Sequence, residues 1–212
     1  MKEYKARASS AVKLMTAPRN KSEVLSEVLS ETTKSYIKEW LIEQIYGFRK
    51  EIKSKYIDKG NKLEDTAIDK AIEWLDLDFV MKNEDSFEDE YFTGTPDIIT
   101  NDEIIDIKCS FSPFTFPLLE DVIPKKDYFY QVQVYMHLTG KKKARVCYIL
   151  LETPPELNYG EVEDYSHFPI QHRIKTFSFE YDENIRLKLQ EKVKEARKYI
   201  EITNFLKIET HE

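Results

Sequence analysis

Apolar positions change their period several times along the chain, and each change predicts an element. Ser9 and Ser10 precede Ala-Val-Lys-Leu-Met, and Pro18 follows, which predicts a short helix near the N-terminus. Residues 21–52 contain no proline. Val24, Leu25, Val28, Leu29, Tyr36, Ile37, Trp40, Leu41, Ile45 and Tyr46 recur there at helical spacing, as one long helix or two short ones. Gly60 reads as a break, after which Leu63, Ala67, Ala71, Ile72 and Leu75 outline an amphipathic helix over 63–75. The acidic stretch 84–90 reads as a loop, and 91–109 as strands. Pro113, Pro117 and Pro124 mark an irregular segment. Residues 128–138 form a helix stopped at Gly140. A strand is expected over 145–151 and a looser one over 174–179. A final helix over 182–206 carries Ile185, Leu189, Val193, Ala196 and Ile200 on one face. Helices, hairpin, helix, strand, strand and helix in this order describe an α/β (α+β) fold with a small mixed sheet. No linker divides the chain, so 1–212 reads as a single domain.

Composition narrows the class. With 41% hydrophobic and 33% charged residues in 212, the chain is globular, not disordered, collagen-like or membrane-spanning. Its length buries roughly 70% of the unfolded surface without staples. Met1-Lys2-Glu3-Tyr4 has no apolar run, so no secretory signal and no membrane partner are expected. Cys109 and Cys147 are too few for a disulfide framework or a four-thiolate cluster. A cytoplasmic protein with reduced thiols is the expectation. His137, His167, His172 and His211 show no HExxH or HxH spacing, which argues against zinc hydrolase chemistry. The net charge of −7 is uneven. The first sixty residues carry 13 basic and 8 acidic side chains, and residues 61–106 carry 3 and 15. The acidic middle is either a solvated face or a source of carboxylates for a hard cation such as Mg²⁺.

The stretch from Gly94-Thr-Pro-Asp97 to Asp106-Ile-Lys108-Cys109 carries the most chemistry. If Asn101-Asp102 is a two-residue turn, Ile99 faces Ile104, Ile98 faces Ile105, and Asp97 faces Asp106. Directly opposed side chains lie roughly 4.5–5.5 Å apart at Cβ, where like charges repel. A divalent cation between them turns that repulsion into binding. Lys108 shares the face of Asp106, while Ile105, Ile107 and Cys109 point into a core. Two carboxylates and one ammonium on one sheet face suit metal-assisted hydrolysis, in which the lysine orients a water or stabilises developing negative charge. A solvent-exposed hairpin with ordinary surface charges is the alternative.

Two further features join it. Gly60-Asn-Lys-Leu-Glu64 places Glu64 in the first turn of the expected helix, beside its apolar stripe. There it is either a helix-dipole glutamate or another metal ligand. In Tyr130-Gln-Val-Gln-Val-Tyr135, Gln131 and Tyr135 are four apart and share a helix face.

Gly60-x-x-x-Glu64, Thr95-Pro96-Asp97, Asp106-Ile107-Lys108 and Gln131-x-x-x-Tyr135, in this order, resemble the PD-(D/E)xK nuclease superfamily, and its phage lambda exonuclease-like branch in particular. Arg7-Ala-Ser9-Ser10 through Thr16-Ala-Pro18-Arg19 and the Phe- and Ser-containing stretch after Cys109 resemble the same branch. The resemblance spans about residues 5–150. It implies a restriction-endonuclease-like core, a mixed sheet flanked by helices. It further implies Mg²⁺ as cofactor, with Mn²⁺ as a substitute, held by Asp97, Asp106, the main-chain carbonyl of Ile107 and Glu64. Lys108 is then expected to position the attacking water, and Gln131 to assist near the scissile phosphate. Arg7 and one of Ser9 or Ser10 are expected at the 5′-phosphate, with Gln133 and Tyr135 as further DNA contacts; a plain N-cap is the other reading of the serines. Members of the branch digest linear duplex DNA ends 5′→3′, close into trimeric rings and partner a single-strand annealing recombinase. Lys141, Lys142 and Lys143 are either ring-channel contacts or a solvated loop. Asp106 stands where close relatives often have glutamate, a pattern the superfamily admits. The competing readings are an endonuclease or repair nuclease of the same fold, and a non-catalytic DNA-binding module.

Overall fold

A computed structural model of the chain describes residues 2–18, 29–50 and 54–208, with side chains to 203. Val24, Leu25, Val28 and Arg19, singled out above, lie outside the described residues. In chain order the elements are β1 (Ala6–Arg7), a 3₁₀ turn over Ala8–Ser10, α1 (Ala11–Leu14), α2 (Glu31–Tyr46), α3 (Lys55–Trp74), β2 (Phe87–Glu88), β3 (Phe92–Gly94), β4 (Ile98–Ile99), β5 (Glu103–Ser110), α4 (Lys126–Thr139), β6 (Lys143–Leu150), β7 (Ile174–Glu180) and α5 (Glu183–Ile208).

The larger sheet has the order β4-β5-β6-β7. β4 and β5 pair antiparallel, β5 and β6 parallel, and β6 and β7 antiparallel. Parallel neighbours cannot be joined by a tight turn, and α4 supplies the crossover between β5 and β6. The mixed sheet of the sequence reading is therefore present. Its hairpin register is the expected one, with Ile98 opposite Ile105 and Ile99 opposite Ile104. The turn is closed by Thr100, whose N–H donates to the Glu103 carbonyl and whose Oγ1 accepts from the N–H groups of Asp102 and Glu103. Neither Asn101 nor Asp102 takes a positive φ, so this is not the mirror-image turn that Asn-Gly would make.

Each face of the sheet has its own core. Ile98, Ile105, Ile107, Cys147, Ile149 and Leu151 pack against Ala67, Ile68 and Ala71 of α3. Ile104, Val146, Tyr148 and Phe177 pack on the other side with Val132 and Met136 of α4 and with α5. The alternation of β5 thus puts Ile105 and Ile107 under α3, as expected, and turns Asp106 and Lys108 toward α4.

Three expectations are corrected. Gly60 does not break the chain: it lies inside α3, which Ser54 caps by accepting the Tyr56 N–H. The acidic stretch 84–90 contains the short strand β2, where a loop was expected. A second sheet, β1-β3-β2, was not foreseen; β1 runs parallel to β3 and ties Ala6 and Arg7 to Phe92 and Thr93. This small sheet carries the N-terminal segment up to the Thr95-Pro96-Asp97 motif. Among the described residues no helix is long and apolar enough to cross a membrane.

Candidate active site

Asp97 follows β3 and immediately precedes β4, and its Oδ2 accepts the main-chain N–H of Ile107 at 2.6 Å. Asp106, in mid-β5, is 1% exposed. Lys108 lies two residues on, on the same face, with Nζ 2.7 Å from Asp106 Oδ2. Among the described residues, no hydrogen-bond donor other than this ammonium comes near Oδ2. The other oxygen, Oδ1, accepts from Nε2 of Gln131 at 3.1 Å. The same Nε2 donates to the Tyr135 hydroxyl at 2.9 Å, one helical turn further along α4. Gln131 and Tyr135 share a face because they are four apart.

Burial sets the electrostatics. It raises the Asp97 carboxyl to about 7, with help from the neighbouring charge of Asp106 and, to a lesser degree, of Glu64. Burial also raises Asp106, against the opposing pull of Lys108. Burial alone would lower Lys108, but Asp106 and Asp97 more than offset it and hold the ammonium charged. Two carboxyls and one ammonium in a poorly solvated place leave a pair that shares its negative charge uneasily. Tyr135 is raised by burial as well and stays neutral.

Three neighbours of this cluster escaped the sequence reading. Tyr128 places its ring 4.7 Å from Lys108 Nζ and so backs the ammonium with a π-face. Its spacing of three from Gln131 was the available signal. Gly94 underlies Tyr135: a Cβ there would lie 2.6 Å from a Tyr135 ring carbon and 2.9 Å from Ala8 Cβ. Asn83 donates its N–H to the Asp97 carbonyl at 2.8 Å and its Nδ2 to the Pro96 carbonyl at 2.9 Å. Nothing in the local sequence marked it.

The other expected site residues are placed as follows. Arg7 ends β1 opposite Thr93 of β3, Ser9 and Ser10 follow in the 3₁₀ turn, and that turn packs on α4 near Tyr135. Arg7 is paired with Glu43 of α2 at 3.0 Å. Ser10 precedes α1 without making a side-chain capping bond, so the plain N-cap reading lacks its hydrogen bond. Glu64 lies in the middle of α3, not in a first turn, and its carboxylate is bound by Lys82 at 2.8 Å. Gln133 is not brought to the cluster. It is 1% exposed, with Nε2 on the Glu180 carbonyl and Oε1 accepting the Asp182 N–H, both at 2.8 Å. Residues two apart on a helix face opposite ways, and Gln133 fastens the start of α5 instead.

The donor set fits a hard cation. Asp97, just before β4, and Asp106, on β5, supply hard carboxylate oxygens, and among the described residues Asp106 Oδ2 is buried with its lone pairs met only by an ammonium. Among the described residues no three His, Cys, Asp or Glu side chains gather tightly enough to hold a metal by themselves. A cation here would complete its shell with main-chain oxygen, water or phosphate, as Mg²⁺ does.

Comparisons with known proteins place the fold beside those of solved exonucleases. The fold matches a phage-related exonuclease from Haemophilus somnus 129PT with a TM-score of 0.81 and 29% identity, covering 93% of this chain and 94% of that one. It matches an alkaline exonuclease from Laribacter hongkongensis with a TM-score of 0.72 and 18% identity, over 98% and 93% of the two chains. The same Laribacter enzyme in complex with dAMP matches with a TM-score of 0.69 and 20% identity. No protein-family model and no curated protein sequence matches the chain. The resemblance to the phage lambda exonuclease-like branch of the PD-(D/E)xK superfamily, read from four short motifs, holds across the fold.

Proposed function

We propose that this chain, lambda exonuclease-like in fold and motifs, is a Mg²⁺-dependent deoxyribonuclease that degrades one strand of linear duplex DNA from its 5′ end. One observation carries the reading: carboxyls of Asp97 and Asp106 close together beside the Lys108 ammonium, with one buried Asp106 oxygen that no other donor among the described residues satisfies. A pair so arranged is costly in an apo protein, and a divalent cation shared between the two carboxylates relieves that cost.

Asp97, Asp106 and the Ile107 carbonyl would hold the metal, with Glu64 as a further ligand and Mn²⁺ as a substitute. Bound there, it supplies Lewis-acid polarisation of a phosphoryl oxygen and a more acidic water. The chain's own residues do the rest. Lys108, charged and backed by Tyr128, orients the attacking water and faces the negative charge that grows on the phosphate. Gln131 fixes Asp106 in one rotamer, and Tyr135 fixes Gln131. Ile107 N–H does the same for Asp97. Arg7, Ser9 and Ser10, carried toward α4 by β1, suit a terminal 5′-phosphate; Arg7 exchanges Glu43 for it.

Ile42, Ile45 and Tyr46 are exposed on one face of α2, with exposed Phe48 just beyond. This apolar strip suits burial against neighbouring copies in a trimeric ring, and the 3′ tails produced suit a single-strand annealing partner in the cytoplasm. The test is digestion of linear duplex DNA labelled separately at its 5′ and 3′ ends, beside a covalently closed circle, with and without Mg²⁺. Early release of the 5′ label with the circle intact is expected. Cutting of the circle would make the chain an endonuclease of the same fold, and no cleavage of either would make it a binding module.

A further inference from the structure

Lys82 and Asn83 belong to the connection between α3 and β2, and together they touch both sides of the candidate site. The Lys82 ammonium lies 2.8 Å from Glu64 Oε1 and 2.7 Å from Asp65 Oδ1 on α3. The next residue, Asn83, holds the carbonyls of Pro96 and Asp97. Asn83 Oδ1 also accepts the Asp85 N–H at 3.3 Å, and its Nδ2 donates to the Asp85 carbonyl at 2.9 Å, so the segment turns on itself around that side chain. Two consecutive residues thus fasten the Glu64 carboxylate and the Pro96-Asp97 motif to one another.

Glu64 is near enough to Asp97 for its charge to be felt there, yet its carboxylate is engaged with Lys82 and joins no metal-holding cluster among the described residues. The Glu64 side chain is half-exposed and the Lys82 side chain is 35% exposed. A solvent-facing ion pair of this kind contributes little net stability, so exchanging the ammonium for another cation costs little.

We infer that Lys82 is a built-in counter-cation for Glu64, displaced when a divalent metal enters beside Asp97, with Asn83 keeping the exchanging segment fixed to the metal-side strand. The inference rests on the metal reading of the site given above. Lys82 and the metal compete for one carboxylate. The ammonium keeps Glu64 neutralised in the empty protein and sets the metal concentration at which the full ligand set forms. Asp65, its second partner, retains the ammonium once Glu64 is released, so the lysine has somewhere to go.

The test is Mn²⁺ binding to the full chain without DNA, read by calorimetry and by the electron paramagnetic resonance of the bound ion. Lys82→Met keeps the aliphatic stem and removes the charge, and Lys82→Gln is a second neutral variant should the first fold poorly. Both are expected to bind Mn²⁺ about five-fold more tightly than the wild type, the factor for no longer having to break one pair of unit charges at roughly 4 Å in water. Lys82→Arg is expected to bind as the wild type does. In a Glu64→Gln background the gain is expected to vanish. Equal affinity of the wild type and both neutral variants would overturn the proposal alone, as would a gain that persists without Glu64, since that is only a general charge effect. Absence of Mn²⁺ binding to the wild type would overturn the metal reading and the proposal together.

Discussion

Asp97 accepts the main-chain N–H of Ile107, the residue next to Asp106 on the facing strand, at 2.6 Å. This bond fixes one carboxylate beside another that is fully buried, and Lys108 is the charge that makes the pair tolerable. The backbone, the register and one lysine therefore share the work of holding two acids where neither is well solvated. Loss of any of the three has a different signature, and each can be measured.

Lys108→Met removes the only cation among the described residues that reaches Asp106 Oδ2. DNA hydrolysis is expected to fall by about 10²-fold or more, the cost of losing an aligned charge in a nuclease site. Stability is expected to fall as well, because truncating one partner leaves a buried charge uncompensated. Without the ammonium the Asp106 carboxyl rises further, so the variant protonates and recovers at low pH. Urea unfolding at pH 5 and pH 8 checks this: the deficit relative to wild type is expected to be small at pH 5 and large at pH 8.

Asp97 gives a pH dependence of known sign. Its folded-state value is about 7, above that of an unfolded aspartate, so the folded protein binds the extra proton between roughly pH 4 and 7. The metal-free protein therefore loses stability as pH rises through that window. Asp97→Asn removes the charge and is expected to stabilise the metal-free protein at pH 8 by about 1–3 kcal/mol, with little effect at pH 4. Mg²⁺ binding to the wild type is expected to release close to one proton near pH 6 and to tighten as pH rises to about 7.5. Calorimetry in two buffers of different ionisation enthalpy measures the released proton, and chelation with EDTA is expected to restore the metal-free pH profile.

The hairpin register was legible because strand alternation has a period of two. A slip of one residue would have turned Ile105 and Ile107 away from α3 and put Asp106 and Lys108 there instead, so only one register buries the isoleucines. The face shared by Gln131 and Tyr135 was legible for the same kind of reason, at a period of 3.6. The misplaced start of α3 shows the limit. Gly60 punctuates only where nothing else decides, and here the cap at Ser54 and the packing of Ala67, Ile68 and Ala71 outweigh a helix-interior glycine, a cost of about 1 kcal/mol. Glu64 moved with it from a helix start to a helix middle. β1 and β3 are too short to show a period, so the sheet that pairs Arg7 with Thr93 left no trace in the pattern.

Lys59 could not have been read as interior from its type. It is fully buried on α3, and Nζ donates to the carbonyls of Phe111 and Leu151 and to the Thr153 hydroxyl at 2.5–2.9 Å. It thereby ties together the segments that leave β5 and β6. Burial lowers its pKa, yet three acceptors keep it satisfied. Lys59→Met fills the same volume but strands the Leu151 carbonyl, and is expected to destabilise by about 1–3 kcal/mol. The Phe111 carbonyl keeps the Thr153 hydroxyl at 2.6 Å, which limits the loss. Thermal unfolding measures it, and Mn²⁺ affinity is expected to be unchanged because the ligands are untouched.

Two glycines predict opposite outcomes for the same substitution. At Gly94 an added Cβ would meet the Tyr135 ring at 2.6 Å and Ala8 at 2.9 Å, the first a buried ring that α4 lays over β3 and the second part of the N-terminal turn. Neither is a flexible tip that can swing aside. Gly94→Ala is therefore expected to destabilise by about 1–3 kcal/mol through overpacking, and to reduce hydrolysis further by displacing the hydroxyl that holds Gln131. At Gly60, inside α3, an added Cβ meets nothing within 4 Å and the backbone is helical. Gly60→Ala is expected to stabilise by about 0.5–1 kcal/mol, by reducing the freedom of the unfolded chain, and to leave hydrolysis unchanged. Melting temperatures of the two variants beside the wild type decide both. A Gly94→Ala protein as stable and active as the parent would mean that Tyr135 does not need its seat on β3, and that Gln131 is held by Asp106 alone.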